Sequence, residues 1–221
     1  MNSNPVMDTT SQADWPAIIE IEEGALTGLH ARLTSSAWSE GLLDVAYRTV
    51  DSPVGPLLLA STAEGLLRVA FAAEDHERVL ADLAVRVSPR ILWAPRRLDQ
   101  AANQLEEYFG QRRTVFDLPL DLSLTGGFRH EVLLELAQIP YGQTKSYTEV
   151  ATAAGRPRAV RAVGSACATN PLPIIVPCHR VLRSTGALGG YLGGLAAKVA
   201  LLQLEKDRVE PTRLPDSEFT M

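Results

Sequence analysis

The first half of the chain alternates short apolar runs with turn residues, which indicates a strand-rich region. Ser-Pro at 52–53 and Glu-Gly at 64–65 predict turns within this region. The apolar runs that flank these turns predict three β-strands, at residues 47–50, 56–61 and 66–71.

Apolar residues at helical spacing follow the predicted strands. This periodicity predicts helices over residues 74–87 and 97–109, and Gly110 ends the second helix. A stretch with some helical character, residues 24–37, precedes the strands. Together these elements predict a small α/β domain in the first half of the chain.

The second half is predicted to be mostly helical. Residues 128–138 form one helix, and residues 195–206 form a last amphipathic helix that carries Glu205 near its end. A carboxylate is disfavoured at that end of a helix dipole, so Glu205 is either a solvated surface residue or is kept for a partner.

Two short helices joined by a tight turn are predicted between these two segments. Ser146 and Glu149 have the spacing of a capping box, and the helix that they begin ends at Gly155. Pro157 suits the first turn of a second helix over residues 158–166. The pair is a helix-turn-helix candidate, because small residues on the second helix permit close approach to a duplex. An ordinary helical hairpin is the alternative.

Composition narrows the class of protein. A chain of 221 residues with 46% hydrophobic residues can bury the core of one or two domains. No apolar run approaches the roughly 20 residues of a membrane span, and residues 1–12 are polar, so we expect a soluble protein. Cys167, Cys178 and four histidines suit neither a disulfide scaffold nor a zinc cluster, so a reducing cytoplasm is expected.

Charge is unevenly distributed along the chain. Residues 1–46 contain seven acidic residues and one basic residue, whereas residues 144–200 contain seven basic residues and one acidic residue. A basic segment of this kind is either a phosphate-binding surface or an ordinary solvated face. Its basic residues are Lys145, Arg156, Arg158, Arg161, Arg180, Arg183 and Lys198.

The strongest chemical signal is a cysteine beside a histidine after an apolar run. The run at 174–176 predicts a strand, and Pro177 should end it and expose the Cys178 thiol. A thiol attacks carbon as a thiolate, and His179 can supply the base. Free cysteine is often buried as a small hydrophobic residue. The Cys-His dipeptide alone therefore leaves two interpretations of Cys178 open, a nucleophile and a buried packing residue.

A glycine-rich loop, residues 186–194, follows the cysteine. Glycines allow backbone to approach a ligand closely or to adopt positive φ. The chain contains neither G-x-G-x-x-G nor G-x-x-x-x-G-K, so no nucleotide cofactor is predicted.

The combined motifs closely resemble the O6-alkylguanine-DNA alkyltransferases, also called methylated-DNA–protein-cysteine methyltransferases. The resemblance covers roughly residues 47–206 and is densest over residues 139–205. Four segments carry it in order: Arg-Ala-Val-Gly at 161–164, Asn-Pro at 170–171, Pro-Cys-His-Arg-Val at 177–181 and Gly-Tyr-x-Gly-Gly at 190–194.

The resemblance implies an α/β amino-terminal domain with a small ribonuclease H-like sheet and helices. It implies a mostly helical carboxy-terminal domain with a winged-helix-like helix-turn-helix. The expected division is an acidic extension of unknown role at 1–46, the α/β domain at 47–122, the catalytic and DNA-binding domain at 123–208 and a tail at 209–221.

The resemblance also implies catalytic roles for five residues. Cys178 would accept the alkyl group, His179 would take its proton through a water, and Glu205 would orient and charge the imidazole. Tyr147 would donate a proton or hydrogen bond to the guanine ring. Asn170 would hold the turn around the active site and the cysteine's hydrogen-bond network.

Other matched residues imply DNA and base recognition. Arg161 would enter the duplex from the minor groove and fill the gap left by the extruded base. The backbone carbonyls of Cys178 and Val181 would receive the exocyclic amine. The remaining DNA contacts predicted are Arg158, Ala159, Lys145 and Ser165. The predicted base pocket consists of Val181, Tyr191, Leu192 and Arg180.

The function implied is direct reversal of O6-alkylguanine damage, and of O4-alkylthymine, by irreversible stoichiometric transfer to Cys178. The expected partner is double-stranded DNA, and no cofactor, metal or membrane is expected. We expect a monomer, with cooperativity along DNA left open. A non-catalytic lesion sensor and a cysteine hydrolase are the competitors, but the former lacks the cysteine and the latter needs an oxyanion hole.

Overall fold

The computed structural model describes residues 23–209. Residues 1–22 and 210–221, which hold much of the predicted acidic extension and nearly all of the tail, lie outside the described residues. The first half contains three helices and four strands: α1 Glu23–Ser39, β1 Val45–Val50, β2 Leu57–Ser61, β3 Leu66–Phe71, α2 His76–Arg86, β4 Ile91–Trp93 and α3 Asp99–Phe109.

The four strands form one mixed sheet in the order β3-β2-β1-β4. Strands β1, β2 and β3 are antiparallel neighbours, and β4 runs parallel to β1 at the sheet edge. The three predicted strands are present. Strand β4 was not predicted, because its three residues, Ile91–Trp93, are too few to show a periodic pattern.

Strand β2 is buried on both faces, so its side chains contribute to two cores. Leu57 and Leu59 belong to a cluster that includes residues of α3, whereas Leu58 and Ala60 pack with residues of α2. This alternation follows from the two-residue period of a strand. The cluster on the α3 side continues into the carboxy-terminal domain and includes Cys178.

The carboxy-terminal domain is mostly helical, with one small parallel strand pair. Its elements are α4 Phe128–Ala137, β5 Lys145–Ser146, α5 Tyr147–Ala153, α6 Val160–Ala168, β6 Val181–Leu182 and α7 Gly194–Val209. The fold class predicted from the sequence, an α/β domain followed by a helical domain, is therefore confirmed.

The capping box at the start of α5 is also confirmed. The Glu149 amide lies 3.2 Å from the Ser146 hydroxyl, and the Ser146 amide lies 2.6 Å from a Glu149 carboxylate oxygen. Helix α6 begins at Val160, two residues later than predicted. Pro157 lies in the preceding turn, where the Ala159 amide donates to the Arg156 carbonyl at 2.8 Å.

The predicted strand at 174–176 is wrong. This segment is a buried turn in which the Val176 amide donates to the Leu172 carbonyl at 2.8 Å and Ile174 has a φ of 75°. Prolines at 171, 173 and 177 lack amide donors and prevent regular strand pairing. The run is apolar because it packs in the core.

Helix α1 confirms the helical character seen in the sequence before the first strand. Its carboxy-terminal end packs Ala37 and Trp38 against Leu43, Ala46 and Ala94. Within residues 23–209, no helix is both long enough and apolar enough to span a membrane.

Candidate active site

Cys178 is the first residue of a short 3₁₀ helix, Cys178–Arg180, and is only 2% exposed. The expectation of an exposed thiol at a strand end is therefore wrong. The segment before the cysteine turns inside the core, so the sulfur is delivered to an interior position. Its hydrogen-bond partner is Asn170, whose amide nitrogen lies 3.1 Å from Sγ.

Asn170 is fully buried and connects three parts of the turn that carries the cysteine. Its amide nitrogen also donates to the Val176 carbonyl at 2.8 Å, and its side-chain oxygen accepts from the Leu172 amide at 2.9 Å. These contacts fit the predicted role of Asn170 in holding both the turn and the sulfur.

Burial raises the pKa of the Cys178 thiol to about 11, against the lowering effects of the Asn170 hydrogen bond and the Lys198 charge. The resting sulfur is therefore a thiol at neutral pH. A reaction that uses this sulfur as a nucleophile must include a base that removes its proton.

His179 provides a buried imidazole beside the cysteine. Its Nε2 lies 2.9 Å from Oε1 of Glu205, and its Nδ1 is buried without a protein hydrogen-bond partner among the described residues. Burial lowers the pKa of His179 even though Glu205 acts to raise it. The imidazole is therefore neutral, and because a carboxylate only accepts, Nε2 carries the proton and Nδ1 is the basic nitrogen.

Glu205 lies on α7 and is 1% exposed, yet it is ionised. Burial opposes ionisation, but hydrogen bonds from His179 and Arg180 outweigh it and lower the pKa of Glu205 to about 2. Arg180 donates through Nε at 2.9 Å and Nη2 at 2.8 Å, and the Tyr108 hydroxyl donates at 2.7 Å. The carboxylate thus orients the imidazole within a paired network.

Arg180 was predicted to line the base pocket, but it is not among the lining residues of the cleft described below. Its guanidinium is buried, pairs with Glu205 and donates to the Ile139 carbonyl at 2.5 Å. The fixed charge that it gives to the network neutralises the carboxylate. Tyr108, the other donor to Glu205, was not predicted because it lies 97 residues away along the chain.

A surface cleft of about 590 Å³ is connected to the 3₁₀ helix of the cysteine through Tyr191, a lining residue whose ring centroid lies 6.3 Å from that of His179. Cys178 itself is not a lining residue of this cleft. Four predicted site residues line it: Tyr147, Arg161, Tyr191 and Leu192. The lining residues not predicted are Val160, Gly164, Ala168, Arg183, Gly189 and Gly190. None of these ten residues is acidic, so the two arginines give the cleft a positive potential.

The glycine-rich loop closes one side of this cleft. A Cβ atom at Gly189 would overlap the Tyr147 hydroxyl, and a Cβ at Gly193 would lie 2.7 Å from the Phe71 ring. Gly186 and Gly194 have φ values of 79° and 82°. Two glycines therefore adopt the positive φ expected from the sequence, and two others allow close approach to the side chains of Tyr147 and Phe71.

Val181, predicted to line the pocket, is fully buried and does not line the cleft. Its carbonyl accepts a hydrogen bond from Lys198 Nζ at 2.7 Å. Lys198 is itself fully buried, and burial lowers its pKa. No pattern in the sequence indicates that this lysine on α7 lies near the cysteine.

The predicted DNA contacts lie at or before α6. Arg158 is exposed in the turn, Ala159 caps α6, and Arg161 and Ser165 are exposed on it. Lys145 is half-buried in β5. The basic surface is smaller than the sequence indicates, because two of the seven basic residues of the segment, Arg180 and Lys198, are buried.

Within residues 23–209, no group of three or more histidine, cysteine or acidic side chains could hold a metal ion. Cys167 and Cys178 are both unpaired as disulfides, and both are buried.

A buried cysteine followed by a histidine that Glu205 orients, together with the two short helices α5 and α6, indicates a protein with cysteine-dependent chemistry and a helix pair suited to nucleic acid. Two protein-family models match the chain. The 6-O-methylguanine DNA methyltransferase ribonuclease-like domain matches residues 45–122, and the 6-O-methylguanine DNA methyltransferase DNA binding domain matches residues 127–207. The chain belongs to the 6-O-methylguanine DNA methyltransferase family of DNA repair alkyltransferases.

Individual relatives agree with this assignment. The chain is 43% identical over 166 residues to the methylated-DNA–protein-cysteine methyltransferase of Mycobacterium tuberculosis, covering 74% of this chain and 94% of the relative. The constitutive enzyme of Bacillus subtilis is 38% identical over 164 residues, covering 72% and 94%. A crystal structure of Mycobacterium tuberculosis OGT in complex with DNA superimposes with a TM-score of 0.65 at 43% identity, covering 74% and 94%.

Proposed function

We propose that this chain removes the alkyl group from O6-alkylguanine in double-stranded DNA and transfers it to its own Cys178. The proposal includes extrusion of the damaged base, activity on O4-alkylthymine, and a single irreversible transfer per molecule. The observation that carries it is the network in which Arg180 and Tyr108 hold Glu205, and Glu205 holds His179 with Nδ1 free to accept a proton.

The chemical step follows from these protonation states. The Cys178 proton passes to Nδ1 of His179 through a bridging water, and the thiolate attacks the alkyl carbon. A carbon–sulfur bond forms as the carbon–O6 bond breaks, and the electron pair stays on the guanine. Tyr147 donates a proton or hydrogen bond to the ring as that charge develops, and solvent restores the tyrosine.

Base extrusion explains the arrangement of the cleft. A base inside the stack cannot present its O6 substituent to a side chain, so the nucleotide must leave the duplex. Arg161 lines the cleft from α6, which supports its proposed entry into the gap. Gly164 and Ala168, which also line the cleft, allow close approach of DNA.

Irreversibility follows from the product. A thioether is neither a useful nucleophile nor a good leaving group, so regeneration would need a second reactive thiol. Cys167 is 7% exposed, and burial raises the pKa of its thiol strongly. Cys178 shares this burial, but it is followed by His179, whereas Cys167 stands between Ala166 and Ala168. With no adjacent imidazole to take its proton, Cys167 is a packing residue in this proposal and not a second acceptor.

The test uses duplex DNA with one O6-methylguanine and an excess of DNA over protein. We expect one methyl mass per protein molecule, located on the peptide that contains Cys178. Cys178→Ala should bind the lesion without transfer, and the matched control Cys167→Ala should transfer one methyl group. Binding with no change in protein mass would support the lesion sensor and contradict the proposal.

A second measurement tests Arg161. Arg161→Ala should weaken binding to the lesion duplex more than binding to undamaged DNA, whereas Arg158→Ala should weaken both and reduce the salt dependence. Equal losses on both duplexes from Arg161→Ala would contradict its role in extrusion. We also propose a cytoplasmic location, because the acceptor must stay reduced. Finally, we propose that the domain boundaries follow residues 46, 122 and 208, as expected from the sequence.

A further inference from the structure

The turn that holds Cys178 is also held from the amino-terminal domain. The Val69 amide on β3 donates to the Pro171 carbonyl at 2.8 Å. Beside it, Nη1 of Arg68 lies 3.3 Å from the Asn170 carbonyl and 3.2 Å from the Pro171 carbonyl. The same nitrogen is 3.0 Å from the Val69 carbonyl, so one guanidinium ties the sheet edge to the turn.

Glu74 determines how this guanidinium is oriented. Nη2 of Arg68 forms an ion pair with Oε2 of Glu74, and the other carboxylate oxygen accepts from the Phe71 amide at 3.0 Å. The Arg68 and Glu74 side chains are only 14% and 15% exposed. Arg68 is therefore held on one side by a carboxylate and on the other by the Asn170–Pro171 turn.

A small movement of this turn would reach the reacting sulfur. The Asn170 amide nitrogen lies 3.1 Å from Sγ and 2.8 Å from the Val176 carbonyl. A displacement of this turn would therefore lengthen or misalign the contact with sulfur. The bond to Asn170 favours the thiolate, so losing it would slow attack.

The same segment supports the opposite side of the site. The Phe71 ring packs edge-on against Tyr191, with centroids 5.5 Å apart, and fills the space beside Gly193. Stability alone is a weak reason for the ion pair, because apolar residues of similar volume often replace a buried pair without loss. The orientation of the Arg68 guanidinium is better explained by its contacts with the Asn170–Pro171 turn.

We propose that Arg68 and Glu74 are positioning residues for the alkyl transfer, acting through the Asn170–Pro171 turn on the geometry around Cys178. The inference rests on the proposed function of Cys178. It assigns to the amino-terminal domain a direct part in setting the rate of the chemical step.

The experiment measures single-turnover methyl transfer at increasing concentrations of O6-methylguanine duplex, which separates the maximal rate from the half-saturating concentration. The variants are Arg68→Met, Arg68→Lys and Glu74→Gln. Arg48→Met is the matched control, because Arg48 also joins a carboxylate, Asp99, to a backbone carbonyl, Pro95, in the same domain.

We expect Arg68→Met to lower the maximal rate about 10- to 100-fold, the loss that follows a misplacement of reacting groups. The half-saturating concentration should change less than about twofold, since no DNA contact is removed. Arg68→Lys should keep a higher maximal rate than Arg68→Met, because lysine can still donate a hydrogen bond to the turn. The maximal rate of Glu74→Gln should lie between the rates of these two variants. Arg48→Met should lower thermal stability without lowering the maximal rate.

Three results would overturn the positioning role: an unchanged maximal rate in Arg68→Met, a change confined to the half-saturating concentration, or equal slowing by Arg48→Met. If Arg68→Met does not fold, Arg68→Lys and Glu74→Gln decide the question by the same criteria. If the wild-type protein transfers no methyl group, the proposed function has failed. The positioning role is then judged from the rate at which iodoacetamide modifies Cys178 in each variant.

Discussion

Replacing Glu205 by glutamine should destabilise the protein in a way that depends on pH. The carboxylate is 1% exposed and accepts hydrogen bonds from Tyr108, Arg180, His179 and the Gly142 amide. Glu205→Gln leaves the Arg180 guanidinium buried without its counter-charge. Removing one partner of a buried ion pair costs about 3–5 kcal/mol, so we expect a loss of that size at pH 7.

The sign of the pH dependence follows from the carboxyl group. Its pKa is lowered from 4.5 to about 2 on folding, so its contribution is fully present above pH 4.5 and is lost as pH falls toward 2. The shift corresponds to about 3 kcal/mol, of which about 2 kcal/mol is lost by pH 3. The difference in unfolding free energy between wild type and Glu205→Gln should shrink by that amount.

Urea unfolding of both proteins at pH 7, 5, 4 and 3 measures this difference directly. Tyr108→Phe is the milder comparison, because it removes one donor to the carboxylate and keeps the charge, at a cost of about 1 kcal/mol. A difference between wild type and Glu205→Gln that stays constant from pH 7 to pH 3 would refute the claim that folding lowers the pKa of Glu205.

Other substitutions test the surroundings of the thiol. Lys198→Met should slow iodoacetamide modification of Cys178 at pH 7.5 by up to about tenfold, since a rise of one pKa unit lowers the thiolate fraction by that factor. Gly189→Ala should lower the methyl-transfer rate about 10- to 100-fold by displacing the phenol ring that it contacts. Gly126→Ala, which meets no atom within 4 Å and lies outside the cleft lining, should not lower it. Asn170→Ala leaves a buried amide and carbonyl unpaired and should cost about 2–4 kcal/mol in urea unfolding.

Local sequence signals predicted the elements that depend on neighbouring residues. The capping box at Ser146 and Glu149 is such a signal, because both hydrogen bonds form within four residues. The apolar runs between turn residues likewise predicted strands β1, β2 and β3. The buried turn before Cys178 was misread as a strand, because an apolar run reports burial and not backbone conformation.

The charged interior of the site could not be read from the sequence. Arg180 and Lys198 counted as surface charge, yet the first pairs with a carboxylate 25 residues away and the second with a carbonyl 17 residues away. Tyr108 and Arg68 reach the site from the other domain. Such contacts depend on how the domains pack, and no periodicity or short motif encodes that packing.

Under the proposed single transfer to Cys178, burial protects the sulfur before a lesion binds. A thiol with its pKa raised to about 11 is almost entirely protonated at neutral pH, and so it reacts slowly with alkylating agents and oxidants in solution. Reaction becomes fast only when an alkyl carbon is held against the sulfur while the neutral imidazole of His179 takes the proton. The same burial that makes Cys178 a poor nucleophile in the free protein therefore reserves it for a bound lesion.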